Sequence, residues 1–148
     1  MQVNARRLAP NLPHAQHIHF GAQARHECPT TADDSNGAFR LTTTEGDPAY
    51  GPVRVSLTTK GDTSADSVLA VNRFPTARQG RVDYSRTTRT STAVANAIRR
   101  GDAVVVLHGV DYNHNGRYDF RSAGKSELDK ALPAEATDPA SCGVLRVR

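Results

Sequence analysis

The chain has 148 residues, the size of one domain. Hydrophobic residues make up 37% and aromatics 5%, with no Trp, and no apolar run approaches the roughly 18 residues of a membrane-spanning helix, which excludes a helical membrane protein. The net charge of +4 rests on 19 basic against 15 acidic residues, the basic ones mostly Arg spread along the chain without blocks or interleaved aromatics, so a nucleic-acid surface is not indicated and a mild attraction for small anions is.

In chain order, residues 3–8 form a weak strand candidate ended by Pro10 and Pro13, and residues 14–20 form the next, ended by Gly21. Residues 25–51, rich in Thr, Asp, Gly and Pro, predict a long loop, with a short strand or helical turn over 38–43. Residues 52–59 alternate cleanly, Val53, Val55 and Leu57 against Arg54, Ser56 and Thr58, and Gly61-Asp62 marks a turn. Residues 67–74 and 81–90 predict two further strands, the second an Arg-decorated edge. The one helix signal is Ser91-Thr92 before Ala93-Val94-Ala95-Asn96-Ala97-Ile98-Arg99-Arg100, stopped by Gly101. Residues 103–109 make the strongest strand, residues 111–140 a second long loop, and residues 143–147 a terminal strand. About six or seven strands, one short helix and two long loops predict an all-β sandwich in a single domain, residues 1–148, with function carried on the loops.

Cys28 and Cys142 read either as two buried thiols or as one disulfide closing a long loop, the latter implying an oxidising compartment. Met1-Gln2-Val3-Asn4-Ala5-Arg6-Arg7 shows no apolar signal core, so an exported protein is expected to have lost its signal.

His14-Ala15-Gln16-His17-Ile18-His19-Phe20 is the most informative stretch. Side chains two apart in a strand share a face, so His17 and His19 point together while Ile18 and Phe20 face the core. Two imidazoles on one face suit a borderline metal such as copper or zinc. A third, His108, closes the Val104-Val105-Val106-Leu107 strand, in parity with Val104 and Val106.

This ordered set, a His-x-x-His-x-His strand, a Cys in the following loop, a Val-Val-Leu-His strand end and the Cys142-Gly143-Val144-Leu145 ending, resembles the copper/zinc superoxide dismutases, especially their bacterial superoxide dismutase-like and CHRD-type relatives. The resemblance implies a Greek-key β-sandwich or flattened barrel. It also implies copper on His17, His19 and His108, with His14 orienting a ligand through the ring nitrogen that does not bind metal. A Cys28–Cys142 disulfide follows from it too, as does a secreted or cell-envelope location. By the same resemblance the three imidazoles meet at a mouth between the long loops, where an open position lets a small anion such as superoxide reach the metal. The chain departs from the family at several points. Pro29-Thr30-Thr31-Ala32-Asp33-Asp34 stands where the bridging histidine is expected, so no zinc site of the family type is predicted. Pro139 stands in place of the anion-guiding Arg, leaving Arg25 or Arg117 for that role. His26 is the candidate fourth copper ligand. The family's first hairpin is expected to be missing, with the strands between residues 52 and 90 or a second copy of the chain in a homo-oligomer expected to compensate.

Asp111-Tyr112-Asn113-His114-Asn115-Gly116-Arg117-Tyr118-Asp119 matches the start of a calcium loop, with Asp111, Asn113, Asn115, Arg117 and Asp119 at ligand positions and Gly116 at the turn. Ser122 stands where such a loop carries its bidentate Glu, with Glu127 the nearest substitute. Residues 34–45 resemble a decayed copy. Three functions are compatible with these features. They are a copper-only superoxide dismutase-like oxidoreductase, a non-enzymatic copper-binding domain, and an extracellular calcium-binding or structural module of CHRD type. No Gly-x-Ser-x-Gly elbow supports serine hydrolysis, and neither nucleic acid nor membrane is an expected partner.

Overall fold

A computed structural model describes residues 1–147. The elements in order are β1 (Gln2–Arg6), β2 (Gln16–His19), α1 (Thr43–Tyr50), β3 (Val53–Ser56), β4 (Arg81–Ser85), α2 (Thr92–Arg100), β5 (Val104–His108) and β6 (Pro139–Val144). They make an all-β arrangement of two antiparallel sheets, β1 with β4 and β3-β2-β5-β6. Among the described residues no helix is long and apolar enough to cross a membrane.

The four-stranded sheet is covered on both faces, which is why every residue of β2 and β5 is buried and β5 reads as a continuous Val-rich run rather than an alternation. On one face Ile18, Val55, Val105 and Leu107 share a core with Val3, Val82 and Tyr84 of the small sheet and with Val94 and Ala97 of α2. On the other, Val104 and Val106 lie with Tyr50 of α1, against which Cys28, Cys142 and Val144 pack.

α2 forms as expected. The Ser91 hydroxyl accepts the Val94 N–H at its start, and Gly101, at φ +78°, ends it by donating to Ala97 and Ile98. α1 lies inside the stretch expected to be loop. Gly46 and Pro48 lower its helix propensity, but Thr42 and Glu45 form a reciprocal capping box, and Tyr50 folds back over Gly46, where an added Cβ would stand 2.6 Å from the ring. Two helices therefore replace the one predicted.

Residues 67–74 are not a strand. They form single 3₁₀ turns at Ala65–Ser67 and Val71–Arg73. Asp62 Oδ2 accepts from the Ser64 N–H and from the Ser64 and Ser67 hydroxyls, while Arg73 donates to the Lys60 and Asp62 carbonyls and to Ser67. These local side-chain bonds outcompete a strand ladder. The terminal strand also starts earlier than expected, at Pro139 rather than 143.

Candidate metal centre

The pairing of β2 with β5 assembles the site. His17 stands opposite Val106 and His19 opposite Val104, so both share the face of Val104 and Val106. His108, in the same parity, follows at the end of β5, its N–H donating to Ala15 O at 2.7 Å. The ring centroids of His17 and His108 are 5.2 Å apart, of His17 and His19 5.7 Å, and of His19 and His108 6.0 Å. One ring nitrogen from each lies within 4.8 Å of the others, a set able to hold a metal ion.

The second nitrogen of every ring is committed. His17 Nε2 donates to Val68 O at 3.0 Å, His19 Nδ1 to Gly51 O at 2.7 Å and His108 Nδ1 to Thr137 O at 2.6 Å. A carbonyl only accepts, so each contact fixes the proton on the nitrogen facing it and leaves the other as a lone pair. Those others, His17 Nδ1, His19 Nε2 and His108 Nε2, are buried and have no hydrogen-bond partner among the described residues. Three orphaned acceptors in one buried cluster is a costly arrangement that coordination would relieve.

Burial keeps these rings neutral. It is the main cause that lowers His17 well below the ordinary histidine value, with repulsion from His108 and His19 adding to it. Burial and His108 bring His19 to about 3 against the pull of its Gly51 bond, and burial brings His108 to about 4 against that of Thr137. Metal ligation needs the neutral form.

Aromatic rings wall the cluster, Tyr50 at 4.6 Å from His19 and Phe74 at 5.2 Å from His17. A cavity of about 30 Å³ adjoins the three histidines, its other walls mostly Val53, Val68, Leu69, Val71, Leu128 and Ala136. The three histidines are only 2–4% exposed, which corrects the expectation of an open mouth between the long loops. α1 and the segments around Val68 and Thr137 fold over the face, supplying the orienting carbonyls. A main-chain carbonyl carries no residue signature, so Gly51, Val68 and Thr137 were not legible in the sequence. Tyr50, an isolated aromatic beside a Gly-Pro pair, was the one available hint.

His14 is buried and its Nδ1 lies 2.9 Å from the main-chain carbonyl of His108, so its hold on that ligand runs through backbone rather than ring. His26 is not in the cluster. Its Nε2 lies 2.8 Å from Gly21 O and its Nδ1 3.7 Å from Asp102. Arg25 pairs with Glu27 and Asp33, Arg117 lies 3.4 Å from Asp119, and neither lines the cavity. Cys28 and Cys142 form a disulfide, consistent with an oxidising location.

In the 111–119 loop the side-chain oxygens are taken up by turns. The Asp111 carboxylate accepts from the Asn115 and Gly116 N–H groups, Asn115 from Arg117, and Asp119 from Arg121 and from the Asn115 amide. Glu135, fully buried and overlooked in the sequence, seats the loop by accepting from the Tyr112 and Asp119 N–H groups. Glu127, the expected substitute ligand, instead accepts from Thr44 at the start of α1.

Comparison with models of known protein families, with curated proteins and with solved structures finds no match to this chain.

Proposed function

We propose that the protein is a copper-binding, superoxide dismutase-like domain that holds one copper ion on His17, His19 and His108. The observation that carries this is the set of three buried ring nitrogens, each left with its lone pair because the other nitrogen of its ring donates to a main-chain carbonyl, and none with a partner among the described residues. The donor set favours copper. Imidazole suits it, and the divalent affinity order places it above zinc. The set is also uncharged and lies in an apolar pocket, so a monovalent ion costs much less to bury than a divalent one. Among the described residues no carboxylate joins the group.

Elemental analysis and competition with a copper chelator test the reading. One copper per chain is expected. His17→Ala, His19→Ala or His108→Ala should each weaken binding by more than about a hundredfold, and His14→Ala by about tenfold, the range of an outer partner. Tighter binding of zinc than of copper would sink the assignment.

A second reading, turnover of superoxide, is the one the resemblance implies, and the uncharged cavity beside the free nitrogens speaks against it. Bound copper would supply one-electron chemistry, oxidising one superoxide to oxygen and reducing the next to peroxide. A superoxide assay on the copper-loaded protein separates this from a non-enzymatic domain. Export from the cell is part of the proposal and has the disulfide in its support. Calcium at Asp111, Asn113, Asn115 and Asp119 is a separate proposal, decided by titration calorimetry on the wild type and Asp111→Ala.

A further inference from the structure

We infer that the histidine site admits small neutral molecules, of the class of the diatomic gases, and turns away anions. The inference rests on the copper reading and names the ligand class of that site. The observation behind it is the chemistry of the walls. Beyond the three imidazoles the cavity has, among the described residues, only two polar side chains, Thr43 and Thr137, and no charged one. Both hydroxyls are engaged, Thr43 Oγ1 donating to Thr137 O at 2.6 Å and Thr137 Oγ1 to Ser126 Oγ at 2.8 Å. The most exposed parts of the wall are Val71 and Leu128, at 40% and 49%, and the half-buried rest is apolar apart from Thr43.

A second hollow, of about 210 Å³, shares Ala15, Val71 and Ala136 with the first. Among the described residues it too has no charged lining side chain, and its one polar side chain is Tyr118. Beside Leu128 in sequence the acids Glu127 and Asp129 outnumber the one cation, Lys130. Arg73 spends its guanidinium on the Lys60 and Asp62 carbonyls and on Ser67, and Glu127 is itself negative. An anion entering here loses hydration and gains no counter-charge, whereas a neutral diatomic has little hydration to lose. Size limits the occupant without regard to its charge. At roughly 10–15 Å³ per water-sized body, a 30 Å³ cavity has room for an ion and a molecule of two or three atoms.

The test uses the full chain, its copper content measured first. Carbon monoxide is added to the cuprous protein and read by its infrared stretch. Azide is added to the cupric protein and read by its charge-transfer band and the electron paramagnetic resonance spectrum. Bound carbon monoxide and a spectrum unmoved by millimolar azide are expected. Val71→Arg and Leu128→Arg, both at half-exposed positions of the wall, should strengthen azide binding by about tenfold or more, and variants that keep copper but gain no azide binding would overturn the inference. Copper bound with azide taken up by the wild type at low millimolar concentration, or with no uptake of carbon monoxide, overturns the inference alone. Failure to bind copper overturns the copper reading and this inference with it.

Discussion

His17, His19 and His108 are as buried as the valines around them, and the consequence reaches beyond metal binding. In the unfolded chain a histidine takes up a proton near its ordinary value of 6.5, while His19 and His108 hold out to about 3 and about 4 in the fold and His17 and His14 are lowered as well. The unfolded state therefore binds more protons than the native one below about pH 6.5, and stability falls as pH falls. Each histidine contributes at most about 1.4 kcal/mol per pH unit across that window. Asp138, raised to about 6 chiefly by burial, works in the opposite sense, since the native state binds its proton first, but it is one group against four. The metal-free protein is thus expected to have a level denaturation midpoint above neutrality and a steep loss between about pH 6.5 and pH 4. A midpoint independent of pH there would contradict neutral, buried imidazoles.

The sequence was legible at the level of elements where residues speak for themselves. β5 was plain from five buried residues in a β-branched run, and α2 from Ser91 and Gly101 at its two ends. The histidine trio followed from strand parity once β2 and β5 were paired. α1 was hidden because its propensity is poor and its stability comes from the Thr42–Glu45 box and from packing of Tyr50. Residues 67–74 misled because alternation over a few residues cannot be told from turns whose partners lie at Asp62 and Arg73. Helix α1 also links the fold to the site. It ends at the Gly51 whose carbonyl orients His19, and it presents Tyr50 to the same ring. Thr42→Ala, at a buried cap, should cost about 1 kcal/mol of stability and weaken metal affinity by several-fold. Calorimetric unfolding and chelator competition on the same variant check both. A stability loss with unchanged affinity would separate helix from site.

For the molecule as a whole, both sheets and α2 share one core, while the metal face is closed by α1 and the disulfide region. Titration of the denatured, unreduced protein should find no free thiol. Reduction should lower stability by up to about 4–5 kcal/mol, because the bridge closes a loop spanning 114 positions. Two titratable thiols in protein from an oxidising compartment would refute the bridge.

The position of that bridge also decides how the chain answers a mechanical pull. Tension applied from outside the bridge cannot extend anything between Cys28 and Cys142, so within residues 1–147 only about 32 are free to lengthen, a gain of at most about 110 Å at full stretch. β1 and β2 lie in the free part, and β3, β4 and β5 in the locked part. A pull would peel β1 from β4 and then β2 from β5, carrying His17 and His19 away from a His108 that cannot follow. A metal held by all three would join the free segment to the locked one, and its bonds would have to rupture before β2 could leave the sheet.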